Sequence, residues 1–231
     1  MIELNYLEIE QKMVNELLNK IINIDCIDFM KNNILKNNIK IDNIITDIPY
    51  GVVNRKSAGI RNFDKKNADI VNFEIEELCN LFVKINPQNI LIFCSTEQIT
   101  DLYNGLKNDY FVKVGIWEKS NPSPVNGQHF WLSGVECCIV ATKKEINDKE
   151  LIWRFPNGRG KVHPTEKPLL LIEHLIEKFT KENDLVYDPF SGSGSHLEAC
   201  FNKKRNFIGN EISEEYFNII IKRINKKNGI C

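Results

Sequence analysis

The chain has 231 residues, 42% of them hydrophobic, with a formal net charge of −1. That length suffices for one substantial core without disulfides or metal, so a single domain over 1–231 is expected. The near-neutral charge excludes a globally basic nucleic-acid binder, leaving local positive patches for any such contact. No leader-like opening and no apolar run of roughly 18 residues is present, which predicts a soluble cytoplasmic protein with no membrane segment. The seven cysteines include no C-x-x-C pair and read as reduced, mostly buried thiols.

Along the chain, Leu7, Val14, Leu17, Leu18 and Ile21 fall at helical spacing with Glu10, Lys12 and Glu16 between them, predicting an N-terminal amphipathic helix over 1–20. Short apolar or β-branched runs predict strands at 21–24, 41–46, 90–93, 112–117, 135–141, 185–187 and 207–212. Helical patterns lie between several of them, at 74–83, 169–179, 196–201 and 214–224. The alternation predicts an α/β sheet with helices on both faces. The closeness of the last strands predicts some antiparallel pairing among them. There is no internal repeat and no low-complexity block.

Asp188-Pro189-Phe190-Ser191-Gly192-Ser193-Gly194-Ser195 follows an apolar run and precedes a helical pattern. Glycines at such a strand-to-helix junction allow a tight turn and close approach of a ligand, and the helix start offers unpaired N–H groups. A glycine-rich turn alone is weak evidence, since ordinary tight turns share it. The strand 207–212 adds weight, because it carries Glu211 about 20 residues on, where a carboxylate can take both hydroxyls of a ribose. The P-loop lysine is missing and G-x-G-x-x-G is not matched, which disfavours ATP and NAD. A cofactor with ribose and no phosphate remains.

The second signal is Asn43-Ile44-Ile45-Thr46-Asp47-Ile48-Pro49-Tyr50-Gly51, an apolar strand that ends in an acid, a proline and an aromatic. In isolation D-x-P-Y reads as a turn with an aromatic at the core edge. It also suits a particular chemistry. The exocyclic amine of a base is a poor nucleophile, because its lone pair is delocalised into the ring. The Asp47 carboxylate and the Ile48 carbonyl could each accept one amine hydrogen and so localise that lone pair. Tyr50 could stack on a base turned out of the duplex.

These segments resemble the amino-methyltransferases of bacterial restriction–modification systems, over most of the chain. Asp47-Ile48-Pro49-Tyr50 is similar to the catalytic D-P-P-Y of that family, Asp188–Ser195 to its cofactor loop D-P-F-x-G-S-G-T, and 207–212 to its F-I-G-I-E strand. His163-Pro164-Thr165-Glu166-Lys167-Pro168 resembles its H-P-T-x-K-P box, and Asp25-Cys26 the pair that contacts the cofactor's adenine. Trp117-Glu118-Lys119-Ser120-Asn121-Pro122-Ser123-Pro124 resembles W-x-K-x-N-P-x-P, a segment thought to line the base pocket. Because the catalytic segment precedes the cofactor segment, the order resembles the β subgroup. The resemblance therefore implies a circularly permuted, Rossmann-like, seven-stranded methyltransferase sheet that uses S-adenosylmethionine on DNA. Catalysis would fall to Asp47, Ile48, Pro49 and Tyr50. Cofactor contacts would come from Asp25, Cys26, Asp47, His163, Thr165, Lys167, Asp188, Phe190, Ser191, Gly192, Ser193, Gly194, Ser195, Glu211 and Ile212.

Two positions depart from the family pattern with consequences to follow: Ile48 stands where the family has proline, losing a fixed φ but keeping the carbonyl, and Asn210 replaces an apolar strand residue without an account from sequence. The opening aspartate of Asp47–Tyr50 favours adenine, whereas relatives acting on the 4-amino group of cytosine usually begin with serine. No Pro-Cys dipeptide is present, which disfavours methylation at carbon 5 of cytosine. The histidines show no ligand spacing, so no metal is expected.

Double-stranded DNA is expected to meet the basic loop 52–70, through Arg55, Lys56, Arg61, Lys65 and Lys66, with Asn121, Arg154, Arg159 and Lys161 nearby. The segment 142–162 leaves room for only a short target-recognition region, so sequence reading could be shared within a homodimer. Methylation of the 4-amino group of cytosine in DNA, methylation of an RNA or of a protein amide, and a non-catalytic DNA- or cofactor-binding relative stay open as alternatives.

Overall fold

The computed structural model describes residues 15–50, 73–122, 134–144, 150–158 and 166–227. Most of the expected N-terminal helix and the loop 52–70 lie outside them. The β-branched and aromatic runs form strands β1 (Lys20–Ile22), β2 (Asn43–Asp47), β3 (Asn89–Cys94), β4 (Phe111–Lys119), β5 (Val135–Thr142), β6 (Ile152–Phe155), β7 (Leu185–Asp188) and β8 (Asn206–Asn210). Between them run α1 (Cys26–Phe29, continued by a π-helical stretch Met30–Leu35), α2 (Ile75–Ile85), α3 (Ile99–Leu106), α4 (Leu169–Phe179), α5 (Ser195–Asn202) and α6 (Glu214–Lys227). The sequence pattern missed α1 and α3, which at four and eight residues are too short to show a helical period.

The strands make one sheet in the order β1-β8-β7-β2-β3-β5-β4-β6. The family sheet was expected to have seven strands, and the described residues form eight. The additional one is the edge strand β6, drawn from the segment expected to be a short variable region. It is held because Trp153 turns inward and lies over Gly115, where even a Cβ would come within 2.4 Å of the indole. Antiparallel pairing was expected among the last strands. Instead β7 and β8 pair in parallel, since α5 carries the chain back across the sheet between them. The antiparallel strand is β5, against both β3 and β4.

Helices cover both faces, as expected. Phe29, Met30 and Ile34, with Leu78 and Phe82 of α2 and Leu102 and Leu106 of α3, fill one side of the sheet. Leu171, Leu175 and Ile176 of α4, Leu197 of α5, and Ile220 and Ile224 of α6 fill the other. The six described cysteines are all free and buried. Asn210 now has a physical account. The buried Tyr187 hydroxyl donates to its side-chain oxygen at 2.6 Å, so an apolar residue there would leave a buried hydroxyl unpaired.

β2 and β7 are parallel neighbours, and the direction in which the connections progress across the sheet reverses between them. From β7 the chain moves outward to β8, and from β2 it moves the other way to β3. The loops after the carboxyl ends of two such strands diverge and leave a crevice, the usual ligand position in an open α/β sheet. Both sequence signals, Asp47–Tyr50 after β2 and Asp188–Ser195 after β7, fall at this point.

Candidate active site

β2 is buried along Asn43–Thr46 and delivers Asp47 at its end. The next residue carries the ladder one step further: the Ile48 N–H donates to the Phe93 carbonyl at 3.2 Å, and its side chain is buried in the core. Gln98 donates to the Pro49 carbonyl at 2.8 Å. The Ile48 carbonyl thus lies between two anchored peptides, which restores by hydrogen bonding what the missing proline would supply by its ring. Ile48→Pro deletes that hydrogen bond and replaces a well-packed buried side chain by a smaller ring drawn back onto the backbone. It is expected to lower stability by about 2–3 kcal/mol, read from urea unfolding, and a variant as stable as the parent would contradict this account of the position.

Asp47 does not stand alone. Its Oδ1 accepts from the Tyr50 hydroxyl at 2.9 Å and its Oδ2 from Lys167 Nζ at 2.5 Å. Lys167 also donates to the Tyr50 oxygen at 3.0 Å and pairs with Glu136 Oε2 at 3.1 Å. Three contacts match the three hydrogens of an ammonium group, and the Lys167 side chain is only 1% exposed. On the far side of Glu136, Lys119 Nζ lies 2.8 Å from Oε1. Pro168, which precedes α4 with ψ of 130°, holds Lys167 out of the helix and against this cluster.

The electrostatics follow from burial opposed by charge. Burial, and then Glu136, push the Asp47 carboxyl up to about 6 although Lys167 pulls the other way. For Glu136 burial is outweighed by Lys167 and Lys119, which hold it at about 2. Lys167 is raised because Asp47 and Glu136 outweigh its burial. The ammonium stays charged, and of the two carboxyls it holds the one able to change protonation near neutral pH is Asp47.

The loop after β7 is built from its own backbone. Gly192 and Gly194 have φ of +52° and +79°, a region that favours glycine. A Cβ on Gly194 would meet Ile220 at 2.8 Å, whereas nothing lies within 4 Å of one on Gly192. The Glu211 carboxylate accepts from Gly192 N and from Ser213 N, each at 2.8 Å. Because β8 stops at Asn210, Glu211 sits in the loop, with Ile212 exposed beside it. Ser191, Ser193 and Ser195 are buried, and Phe190 packs on Phe73 with ring centroids 5.0 Å apart. Arg223 of α6 ties the loop down, donating to the Ser193 carbonyl at 2.9 Å while pairing with Glu198 and Glu166.

Asp188 is fully buried. Its Oδ1 accepts from Thr46 at 2.7 Å and from Phe190 N at 3.2 Å. Its Oδ2 has no hydrogen-bond partner among the described residues, with His196 Nδ1 3.5 Å away. Burial pushes this carboxyl up to about 7 and His196 down to about 3. An orphaned carboxylate oxygen beside a glycine turn, with open space at Gly192, fits a ligand that brings a cationic amine and hydroxyls. S-Adenosylmethionine is such a ligand.

Other expected residues fall into place differently. Asp25 caps α1, accepting from Ile27 N and Asp28 N at 2.9 and 3.2 Å, and Cys26 is buried behind it. Trp117 is structural, buried with its Nε1 donating to the Phe155 carbonyl at 2.9 Å. Asn121 joins the ends of β4 and β6, its Oδ1 accepting from Asn157 N at 2.5 Å. Arg154 pairs with Glu118 at 2.9 Å in an exposed cross-strand contact, which is worth little. Arg55, Lys56, Arg61, Lys65, Lys66, Arg159, Lys161, His163 and Thr165 lie outside the described residues. Sequence reasoning missed Glu136, Lys119, Gln98 and Arg223. Glu136 had a signal, as the one acid in the otherwise apolar strand β5, and Lys119 is the lysine of the W-x-K segment. No group of described residues could hold a metal ion, and no described helix is long and apolar enough to cross a membrane.

Comparison with known proteins agrees with this geometry. The N6/N4 DNA methylase family model matches residues 41–222. The type II methyltransferase M2.MboI of Moraxella bovis is 32% identical, with 86% of this chain and 85% of that protein covered. M2.DpnII of Streptococcus pneumoniae is 33% identical, with 81% and 83% covered. Among solved structures, the M1.HpyAVI–SAM complex matches with a TM-score of 0.68 and 33% identity, over 88% of this chain and 98% of that one. The cytosine-N4-specific PvuII DNA methyltransferase has a TM-score of 0.64 at 16% identity, over 88% and 85%, and shares the fold. Through this match over most of its length, and through the two loops that meet at its switch point, the chain belongs to the N6/N4 DNA methylases, restriction–modification amino-methyltransferases that act on DNA with S-adenosylmethionine.

Proposed function

We propose that this protein methylates the 6-amino group of adenine in double-stranded DNA, on a base turned out of the duplex. The observation that carries the proposal is the Asp47 carboxylate. Each of its oxygens already accepts one hydrogen bond, from Tyr50 and from Lys167. A carboxylate oxygen has a second lone pair, and these can take an amine hydrogen. The anchored Ile48 carbonyl is a second acceptor. Together they localise the amine lone pair, and the amine's lost proton has a nearby base of suitable strength in the Asp47 carboxylate.

S-Adenosylmethionine, when bound, supplies an electrophilic methyl group. On this reading the Asp188–Ser195 loop and Glu211 would hold that donor, Asp188 through the carboxylate oxygen that has no hydrogen-bond partner among the described residues and Glu211 through the lone pairs left free for hydroxyls. The Thr46–Asp188 hydrogen bond couples the ends of β2 and β7, so donor and amine acceptor are held in fixed relation. Adenine is favoured by the opening aspartate of Asp47–Tyr50.

The test is incubation of the purified protein with S-adenosylmethionine and unmethylated mixed-sequence DNA, followed by digestion and separation of nucleosides by mass. N6-methyladenine is the expected product. N4-methylcytosine would keep the chemistry and overturn the base assignment. Cofactor binding without either product would overturn the proposal.

A further inference from the structure

We propose that Glu136 is a positioning residue for the transfer, sharing Lys167 with Asp47 and offering Tyr50 a second acceptor so that Asp47 can take up a proton without dismantling the cluster. This rests on the assignment of Asp47 made above. Tyr50 has one hydroxyl hydrogen and two carboxylates within reach, Asp47 Oδ1 at 2.9 Å and Glu136 Oε2 at 3.4 Å. While Asp47 is ionised it takes that hydrogen.

When the methylated amine gives up its proton, the N–H bond breaks, its electron pair stays on nitrogen, and an O–H bond forms at Asp47. Asp47 is then a donor, and the oxygen that carries the proton is a much weaker acceptor for the Tyr50 hydroxyl than the carboxylate was. Rotating toward Glu136 solves this: the Tyr50 oxygen accepts from Asp47 and from Lys167 and donates to Glu136. A hydroxyl has one hydrogen and two lone pairs, so every group remains satisfied. Without Glu136, protonation of Asp47 would leave the Tyr50 hydrogen with a poor acceptor among part-buried groups, at the cost of a weakened hydrogen bond.

Charge balance points the same way. Lys167 donates to both carboxylates, and Lys119 compensates Glu136 from the other side. Asp47 is therefore opposed by a shared cation rather than a private one, which leaves it basic enough to receive a proton. Among the described residues, the ionisable groups facing Asp47 are Lys167, Tyr50 and Glu136, then Cys94 of β3 and Cys138 of β5. Asp188 of β7 interacts with it across the Thr46 hydrogen bond.

The experiment follows the Asp47 carboxyl directly. In protein labelled with carbon-13 at aspartate Cγ, its signal is the one lost in Asp47→Ala, and its titration is compared between the parent chain and Glu136→Gln. The variant removes a negative neighbour and gives Lys167 to Asp47, so the midpoint is expected about one pH unit lower. The acid limb of single-turnover methylation should move with it, and the plateau rate should fall roughly tenfold as Asp47 becomes less basic. Lys119→Met removes the cation behind Glu136 and should move the midpoint the opposite way. An unmoved midpoint in either variant, with calorimetric S-adenosylmethionine affinity like the parent's, overturns the role of Glu136 alone. Absence of DNA methylation by the parent chain overturns the functional assignment instead, and the transfer role with it.

Discussion

Lys167→Met is expected to cost about 3–5 kcal/mol of folding stability at pH 8, and distinctly less at pH 5.5. The methionine fills the stem of the side chain but leaves Asp47 and Glu136 facing each other without the cation they share. Removing one member of a buried ionic cluster strands the other charges, and that penalty exceeds what the intact cluster contributes. The pH dependence has a definite sign. The folded Asp47 carboxyl already titrates at about 6 against an ordinary 3.8, so its protonated form stabilises the fold at low pH and that contribution fades as pH rises through 6. Without Lys167 the folded value rises further, so the loss continues to higher pH and the gap between variant and parent widens above about 6. Urea unfolding at the two pH values measures it. A penalty that is equal at both, or below about 1 kcal/mol, would mean that Asp47 and Glu136 do not depend on Lys167.

Asp47→Ala should have the opposite profile, with activity lost and the fold kept. Its carboxylate is the acceptor for the amine hydrogens and the place where the proton goes, so single-turnover methylation is expected to fall by about 10²–10⁴. Lys167 keeps Glu136 as its counter-ion, so no charge is stranded, and the unfavourable burial of the Asp47 carboxylate disappears as well. Stability should stay within about 1–2 kcal/mol of the parent. The cofactor loop is built around Asp188 and Glu211, so calorimetric affinity for S-adenosylmethionine should change only a few-fold. Retention of more than a tenth of the parent's rate would remove Asp47 from the chemistry.

The two variants separate roles that one cluster combines, and they show where sequence was informative. Asp47 and the Asp188–Ser195 loop were legible because each is a local event: an apolar strand ends, the next residues turn, and polar groups are delivered at the end. The whole of α4 was legible for the same reason, from its spacing of Leu171, Ile172, Leu175 and Ile176. Glu211 was legible as a carboxylate at a fixed distance along the chain, although the strand before it proved shorter than expected. Glu136 and Lys119 were not singled out, since an acid in one strand and a lysine in another acquire meaning only when β5 is laid against β4 and Glu136 is placed between Lys119 and Lys167. Asn210 is similar. It is anomalous in an apolar strand until Tyr187 is seen to donate to it.

By itself, then, the sequence determined the class of sheet, the two segments that meet a ligand, and the kind of chemistry those segments suit, because strand periodicity and turn chemistry act over a few residues. The tertiary structure decided what Lys167 does, why an isoleucine can occupy position 48, and why an eighth strand forms at the edge. Each of these depends on partners far apart in the chain: the Phe93 carbonyl for Ile48, Gly115 for Trp153, and Asp47 with Glu136 for Lys167. Such partners are chosen by burial and by the need to satisfy every buried charge and donor, and that need exists only once the sheet has assembled.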